Sequence, residues 1–369
     1  MASPLISIGI PAYNHAAFIK ETIESALNQS IKDIEIIIVD DASTDDTAKI
    51  ASTYVGKDPR VKFIQNEKNL GPAKTTEILL ENAKGKYFSP VPSDDFLAPD
   101  KYEKLLKVIE EDPEMAFVFN DVIFVDESSH EIKHNNHFAS GHFDTTPRDR
   151  FAWLRYFFNA GNCVCASGPL IRRDILNRYK PDHRLILLHD YDLWVRMSID
   201  GFNIGTVNEK LSYYRILNDQ KNLSAPSKSV KARRIFEHFK VLKRFSTLST
   251  LEELSAITKK KFDQIPEGVS EKVFVQHQLS MHAWEMKRAQ YRNFAIESWY
   301  EMLGDSTIEK ELSILSVNPR FLAERMESNP LVSGRSLLAI DFIQQLLENL
   351  LPGSIRCFLV KKIKKSRGD

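Results

Sequence analysis

Apolar and polar positions change their period twice along this chain, and the changes divide it. Residues 5–10 form a short apolar run closed by Pro11. Phe18, Ile19, Ile23, Ala26 and Leu27 then recur on one helical face. Residues 34–39 are a near-continuous β-branched run, the mark of a strand covered on both sides of a parallel sheet. A helix over 44–54 carries acids in its first turn, where the helix dipole favours them. A strand at 61–64, a helix at 72–83 and a strand at 87–91 follow. Such alternation predicts an α/β domain wound around a mostly parallel sheet.

Past Lys101 the rhythm loosens. A helix over 100–110 leads to strands at 115–119 and 122–125, then to a polar, His-rich loop at 127–142. An aromatic helix at 150–158, helices at 173–179 and 191–199, and strands at 203–207 and 211–214 complete this part. From about Ser224 strands disappear, and helical periodicity governs 228–245, 270–302 and 337–351. The polar stretch 218–229 therefore reads as a boundary, giving an α/β domain over 1–224 and an α-helical region over 225–369.

Composition narrows the function classes. Lys plus Arg (50) equals Asp plus Glu (50), so no global charge points to nucleic acid. Cys163, Cys165 and Cys357 are too few for a disulfide framework and suit a reducing compartment. No basic leader precedes the first strand and no apolar run is long enough to span a bilayer, so the expected location is cytoplasmic.

In open parallel sheets ligands bind beyond the carboxyl ends of the strands. Three loops there carry candidate chemistry. Pro11-Ala12-Tyr13-Asn14 could hold a flat base against Tyr13, or be a tight turn in which Asn14 caps the next helix. Asp40 and Asp41 end a buried apolar strand, where two acids are costly unless paired or ligated. Pro92-Ser93-Asp94-Asp95 places two hard oxygen donors at a strand end, suited to Mg²⁺ or Mn²⁺ beside a phosphate. Farther on, Asp190 and Asp192 open a helix containing Leu193, Val195 and Met197. A carboxylate there is either a cap or a general base aimed into a cleft.

Taken in order, these segments resemble the inverting glycosyltransferases of family 2, with the GT-A fold. The matching residues are Ser7 to Asn14, Ile37 to Asp45, Asn69-Leu70-Gly71, Gly85-Lys86-Tyr87, Ser93-Asp94-Asp95 and His189 to Arg196. The resemblance covers roughly residues 5–215. It implies a nucleotide-sugar donor, a UDP-sugar favoured, and a hydroxyl acceptor on a glycan or lipid carrier. It also implies a divalent cation, Mn²⁺ or Mg²⁺, held by Asp95. The donor-binding set it implies is Pro11, Ala12, Tyr13, Asn14, Asp41, Lys74, Ser93 and Asp94, with Asp190 as catalytic base.

Four positions depart from the family pattern. Pro92 stands where an Asp often precedes the acidic pair, and His189 stands where Glu often precedes the base. Thr76-Glu77 replaces a common Arg-Asn, leaving Lys74 as the substitute donor contact. Tyr214-Arg215 is followed by Ile216-Leu217 rather than by a His. A glycan- or partner-binding module without catalysis is the alternative these departures raise. A dehydrogenase would need Gly-x-Gly-x-x-Gly after the first strand, which is absent.

The C-terminus adds one more expectation. Leucines and isoleucines crowd 337–351, and 355–367 interleave apolar residues with Arg356, Lys361, Lys362, Lys364, Lys365 and Arg367. This basic amphipathic end could lie on an anionic membrane surface, pack on the protein, or pair protomers.

Overall fold

A computed structural model of the chain describes residues 3–133, 137, 139, 141–218 and 222–327. Its first half builds one eight-stranded sheet in the order β3-β2-β1-β4-β7-β6-β8-β5. The strands are β1 (Ile6–Ala12), β2 (Ile34–Asp40), β3 (Val61–Gln65), β4 (Tyr87–Pro90), β5 (Phe96–Leu97), β6 (Met115–Val125), β7 (Leu170–Arg172) and β8 (Asn203–Arg215). Strand β1 runs parallel to β2 and β4, and β2 parallel to β3. Every residue of β2 is buried, as its β-branched run predicts.

The sheet is mixed. Strand β7 is antiparallel to both β4 and β6, and the two-residue β5 is antiparallel to β8. Each is too short to leave a periodic signal, and the sequence reading passes over both. Strands β6 and β8 pair in parallel along their whole lengths, with register shifts around Asn120 and Asp121. Those polar residues make β6 read as two strands in the sequence, as Asn208 and Glu209 do for β8; the bulge absorbs them without ending the pairing.

Helices α1 (Ile19–Leu27), α2 (Thr47–Ser52), α3 (Pro72–Asn82) and α4 (Lys101–Glu111) follow the strands as the alternation predicts. Helix α5 (Arg150–Asn159) starts on Asp149, whose side chain accepts from the Ala152 N–H. A single turn, α6 (Arg173–Leu176), precedes α7 (His189–Ile199). Helices α5 and α7 supply Trp153 and Trp194 to an aromatic layer with Phe117 and Phe119 of β6, rings 4.4–6.2 Å apart.

At the far end of the sheet from the candidate loops, the Ser7 hydroxyl donates to Glu35 and accepts from the Gly85 N–H. Gly85 is required there. A Cβ on it would lie 2.5 Å from the Ser7 nitrogen.

The chain resolves into two compact units, 1–245 and 246–369. Helix α8 (Lys228–Leu242) and the 3₁₀ turn beginning at Lys243 thus start within the first unit, whereas the sequence reading assigns 225 onward to the second region. The described part of the second unit is helical: α9 (Leu251–Thr258), α10 (Glu271–Glu285), α11 (Ala289–Gly304), α12 (Glu309–Ile314) and α13 (Pro319–Glu327). Thr250 and Glu253 form a reciprocal capping box on α9. The stretch read as one helix over 270–302 breaks between α10 and α11, where Lys287 takes φ 57°.

Among the described residues no helix is long and apolar enough to cross a membrane. The expected helix at 337–351, the basic tail and Cys357 lie outside the described residues.

Candidate functional site

The carboxyl ends of β1, β2 and β4 lie side by side, and the three candidate loops leave from them. The first two are tied directly. The Asp41 N–H donates to the Ala12 carbonyl at 2.8 Å, and the Asn14 N–H to Ser43 Oγ at 2.9 Å. Asn14 Oδ1 in turn accepts from the Thr44 N–H at 2.7 Å. Asn14, at φ 53°, therefore pins loop to loop and does not cap α1, which begins after Phe18 with no side-chain cap. Tyr13 stands beside it, 44% exposed, at the mouth of the site.

Asp41 is buried and well satisfied. Its Oδ1 accepts from Asn66 Nδ2 and the Leu70 N–H, and its Oδ2 from the Gly71 N–H, all at 2.8 Å. These bonds hold the 66–71 turn against the end of β2, with Gly71 at φ 84° opening α3. A carboxylate has about four acceptor directions, so one remains. Asp40 is less satisfied: its Oδ2 accepts from the Ser43 N–H, whereas its Oδ1 is buried without a partner among the described residues. Lys74, one turn into α3, is ion-paired to Glu77, and His183 Nε2 meets the same carboxylate at 3.1 Å.

His15 joins the first loop to the third. Its Nδ1 lies 2.8 Å from Ser93 Oγ and 3.9 Å from Asp94 Oδ1. The sequence reading missed this residue. Its signal, a ring one position after Asn14, is indistinguishable from any surface histidine until the fold brings β1 and β4 together.

Asp95 is 2% exposed. Its Oδ1 accepts from the Arg215 N–H at 3.0 Å, and its Oδ2 has no hydrogen-bond partner among the described residues. Ser167 is near enough to favour the ionised form, yet no bond of ordinary geometry reaches Oδ2. Burial, and then the adjacent Asp94, push this carboxyl well above the ordinary range. The Arg215 side chain, also buried, reaches the Asp94 carbonyl, the Asp126 carbonyl and Glu21. Arg215 thus fastens the end of β8 to the acidic turn. Below them Lys101 is fully buried, donating to the Ser167 carbonyl and to Ser212 Oγ, and burial brings its ammonium down to about 7.

The orphaned, buried Asp95 oxygen tests the implied cation. A desolvated carboxylate with one empty acceptor direction suits a hard divalent ion, and burial penalises it without one. Among the described residues no three His, Cys, Asp or Glu side chains converge on one point. This donor set therefore fits the kind of ion that is held by one or two carboxylates and completed by substrate phosphates and water.

Asp190 sits in the first turn of α7, partly buried. Its Oδ1 accepts from the Tyr191 N–H at 2.7 Å and its Oδ2 from Asn162 Nδ2 at 3.3 Å. Burial raises its proton affinity, while His189 and these two bonds oppose the rise. Asn162 belongs to the 160–169 connection, which also holds the buried free thiols Cys163 and Cys165. Because β7 is antiparallel to β4, the residues just before β7 reach the end of β4 that carries the acidic turn. Topology alone therefore brings one short connection from Asn162, bonded to Asp190, to Ser167, near Asp95.

The site can be set beside known proteins. A family model described as Glycosyl transferase family 2 matches residues 7–180. An uncharacterised glycosyltransferase of Methanocaldococcus jannaschii is 29% identical over 241 residues, 65% of this chain and 79% of that one. The Escherichia coli UDP-Glc:α-D-GlcNAc-diphosphoundecaprenol β-1,3-glucosyltransferase WfaP is 32% identical over 245 residues, 64% of this chain and 90% of that one. In fold, the chain is similar to S. aureus TarS 1–349 in complex with UDP, with a TM-score of 0.52, 16% identity, and coverage of 82% and 92%. With a GT-A-type sheet and relatives matched over most of their own length, this chain belongs to glycosyltransferase family 2.

Proposed function

We propose that the chain moves a sugar from a nucleotide-sugar donor to a hydroxyl of a glycan or lipid-linked acceptor during surface polysaccharide assembly, with inversion at the anomeric carbon. The observation that carries this reading is the Asp190 carboxylate, whose raised proton affinity suits a base and which shares a connection with the acidic turn. In this reading Asp190 takes the proton of the acceptor hydroxyl. The freed oxygen attacks the anomeric carbon from the face opposite the nucleotide, and the bond to the diphosphate oxygen breaks. The exposed Tyr13, the backbone of Pro11 and Ala12, Asn14 and Asp41 border the base. Ser93, Asp94 and Lys74 face the ribose and diphosphate. Asp95 and Asp94 would hold a divalent cation, which supplies charge neutralisation for the departing diphosphate when bound.

The relative WfaP is named for a UDP-glucose donor and a diphosphoundecaprenol-linked acceptor, which favours a UDP-sugar and a lipid-linked acceptor for this chain. The test is direct. Asp190→Asn should abolish transfer while leaving nucleotide binding within about twofold, and the product anomer, read by NMR, should be opposite to that of the donor. Retained transfer by Asp190→Asn, or a retained anomer, would overturn the reading.

A further inference from the structure

Helix α8 lies beyond the residues matched by the family, yet it grips the segment that carries the proposed base. Glu237, in the middle of α8, is 2% exposed. Among the described residues its carboxylate pairs with no cation in the usual way of a buried acid. It accepts three consecutive backbone N–H groups: Ile186 at 3.0 Å on Oε1, then Leu187 at 2.8 Å and Leu188 at 3.0 Å on Oε2. Such charge-assisted bonds are roughly twice as strong as neutral ones and leave little angular freedom to the donors. Leu188 is the residue from which α7 starts, and Asp190 follows two positions later.

Two further contacts from the same segment fall on α7. The His238 ring meets Tyr191 edge-on at 5.7 Å. Arg244 Nε donates to Asp192 Oδ1 at 2.7 Å, and Asp192 is completely buried. Asp190 is therefore bracketed. The three N–H groups before it are held by Glu237, and the two residues that follow it, Tyr191 and Asp192, are held by His238 and Arg244. Its own helix provides no side-chain cap at this end.

We infer that Glu237 is a positioning residue for the transfer reaction, holding the entry to α7 so that Asp190 faces the acceptor hydroxyl. The inference rests on Asp190 being the base. Glu237 touches no substrate; it acts by fixing the direction in which α7 begins. A displacement of about 1 Å at a reacting group can cost on the order of 100-fold in rate.

The experiment uses the full chain with UDP-glucose and UDP-N-acetylglucosamine as donor probes, each with Mn²⁺, and reads nucleotide release together with UDP affinity. Glu237→Gln keeps the shape but loses the charge and turns an amide toward an N–H. It should lower kcat by about 10- to 100-fold, with UDP affinity unchanged within twofold, and Glu237→Asp should restore part of the loss. Full turnover in Glu237→Gln would overturn the inference, as would a fall in UDP affinity matching the fall in kcat. Asp190→Asn is run alongside. If it keeps turnover, the base assignment fails. If it loses turnover while Glu237→Gln does not, only the positioning role fails. Hydrogen exchange on the unaltered chain gives an arm that needs no variant: the amides of 186–188 should exchange as slowly as those of the α7 interior. Exchange at the rate of an exposed loop would sink the inference.

Discussion

Two carboxylates at the site have proton affinities raised by burial, and the consequences differ. As the proposed base Asp190 must be ionised, so kcat should fall as pH drops through its raised pKa. The Asn162 bond favours the ionised form. Asn162→Ala should therefore move the acid limb of the kcat profile to higher pH, with the limb otherwise unchanged in shape. A limb that stays in place would mean that another group governs it. For Asp95 the folded pKa lies above the unfolded one, so ionisation at neutral pH works against the fold. Asp95→Asn keeps an acceptor for the Arg215 N–H and removes the orphaned charge. It should raise the Tm of the unliganded protein by a few degrees, on the order of 1 kcal/mol. It should also abolish any Mn²⁺-dependent stabilisation by UDP. A lower Tm would show that the charge is compensated in the fold without a cation.

At the scale of elements, the sequence is most legible where burial is two-sided or amphipathic. The β-branched run of β2, the apolar face of α1 and the other elements through β4 lie within a residue or two of their predicted bounds, save α2, which starts at Thr47 where Thr44 is predicted. What escapes is short or interrupted. Strand β7 has three residues and β5 two, so neither repeats the two-residue alternation of a strand. Strands β6 and β8 carry polar residues at a bulge that only their pairing explains. The site was legible as loops and acids because the acids end apolar strands, where they cost energy. His15, Asn162 and Arg215 were not, because each acts through a partner 78, 28 or 120 positions distant. Gly85 marks how tightly the strands are joined at the opposite end. Gly85→Ala would press a Cβ on the Ser7 backbone and strain the Ser7–Glu35 pair. It should destabilise by about 1–3 kcal/mol, read as a lower denaturant midpoint at unchanged slope. UDP affinity of the folded fraction should be unaffected, since the pair lies away from the loops.

On the scale of the whole molecule, the decisive question is where the working unit ends. Composition suggests 224, at the polar stretch where strands cease; contacts carry the first unit to Phe245. The difference is α8 and its following turn, and the physics of cutting at each point is unequal. A chain ending at 224 leaves the 186–188 N–H groups without Glu237 and takes Arg244 from buried Asp192, which keeps Arg196. It also removes Phe245, fully buried with its ring 5.0 Å from that of Phe158. Burying one such aromatic contributes about 1.5–3 kcal/mol, and an unpaired buried donor costs about 1–3 kcal/mol. Against a total stability of about 5–15 kcal/mol, losses of that size taken together approach the whole margin. A chain ending at 245 keeps all of these contacts. We therefore expect residues 1–245 to unfold cooperatively and to be stabilised by UDP with Mn²⁺. Residues 1–224 should aggregate or melt without a cooperative transition. Thermal scans of the two truncations beside the full chain decide it. A well-folded, nucleotide-responsive 1–224 would place α8 outside the catalytic unit and weaken the case for Glu237 with it.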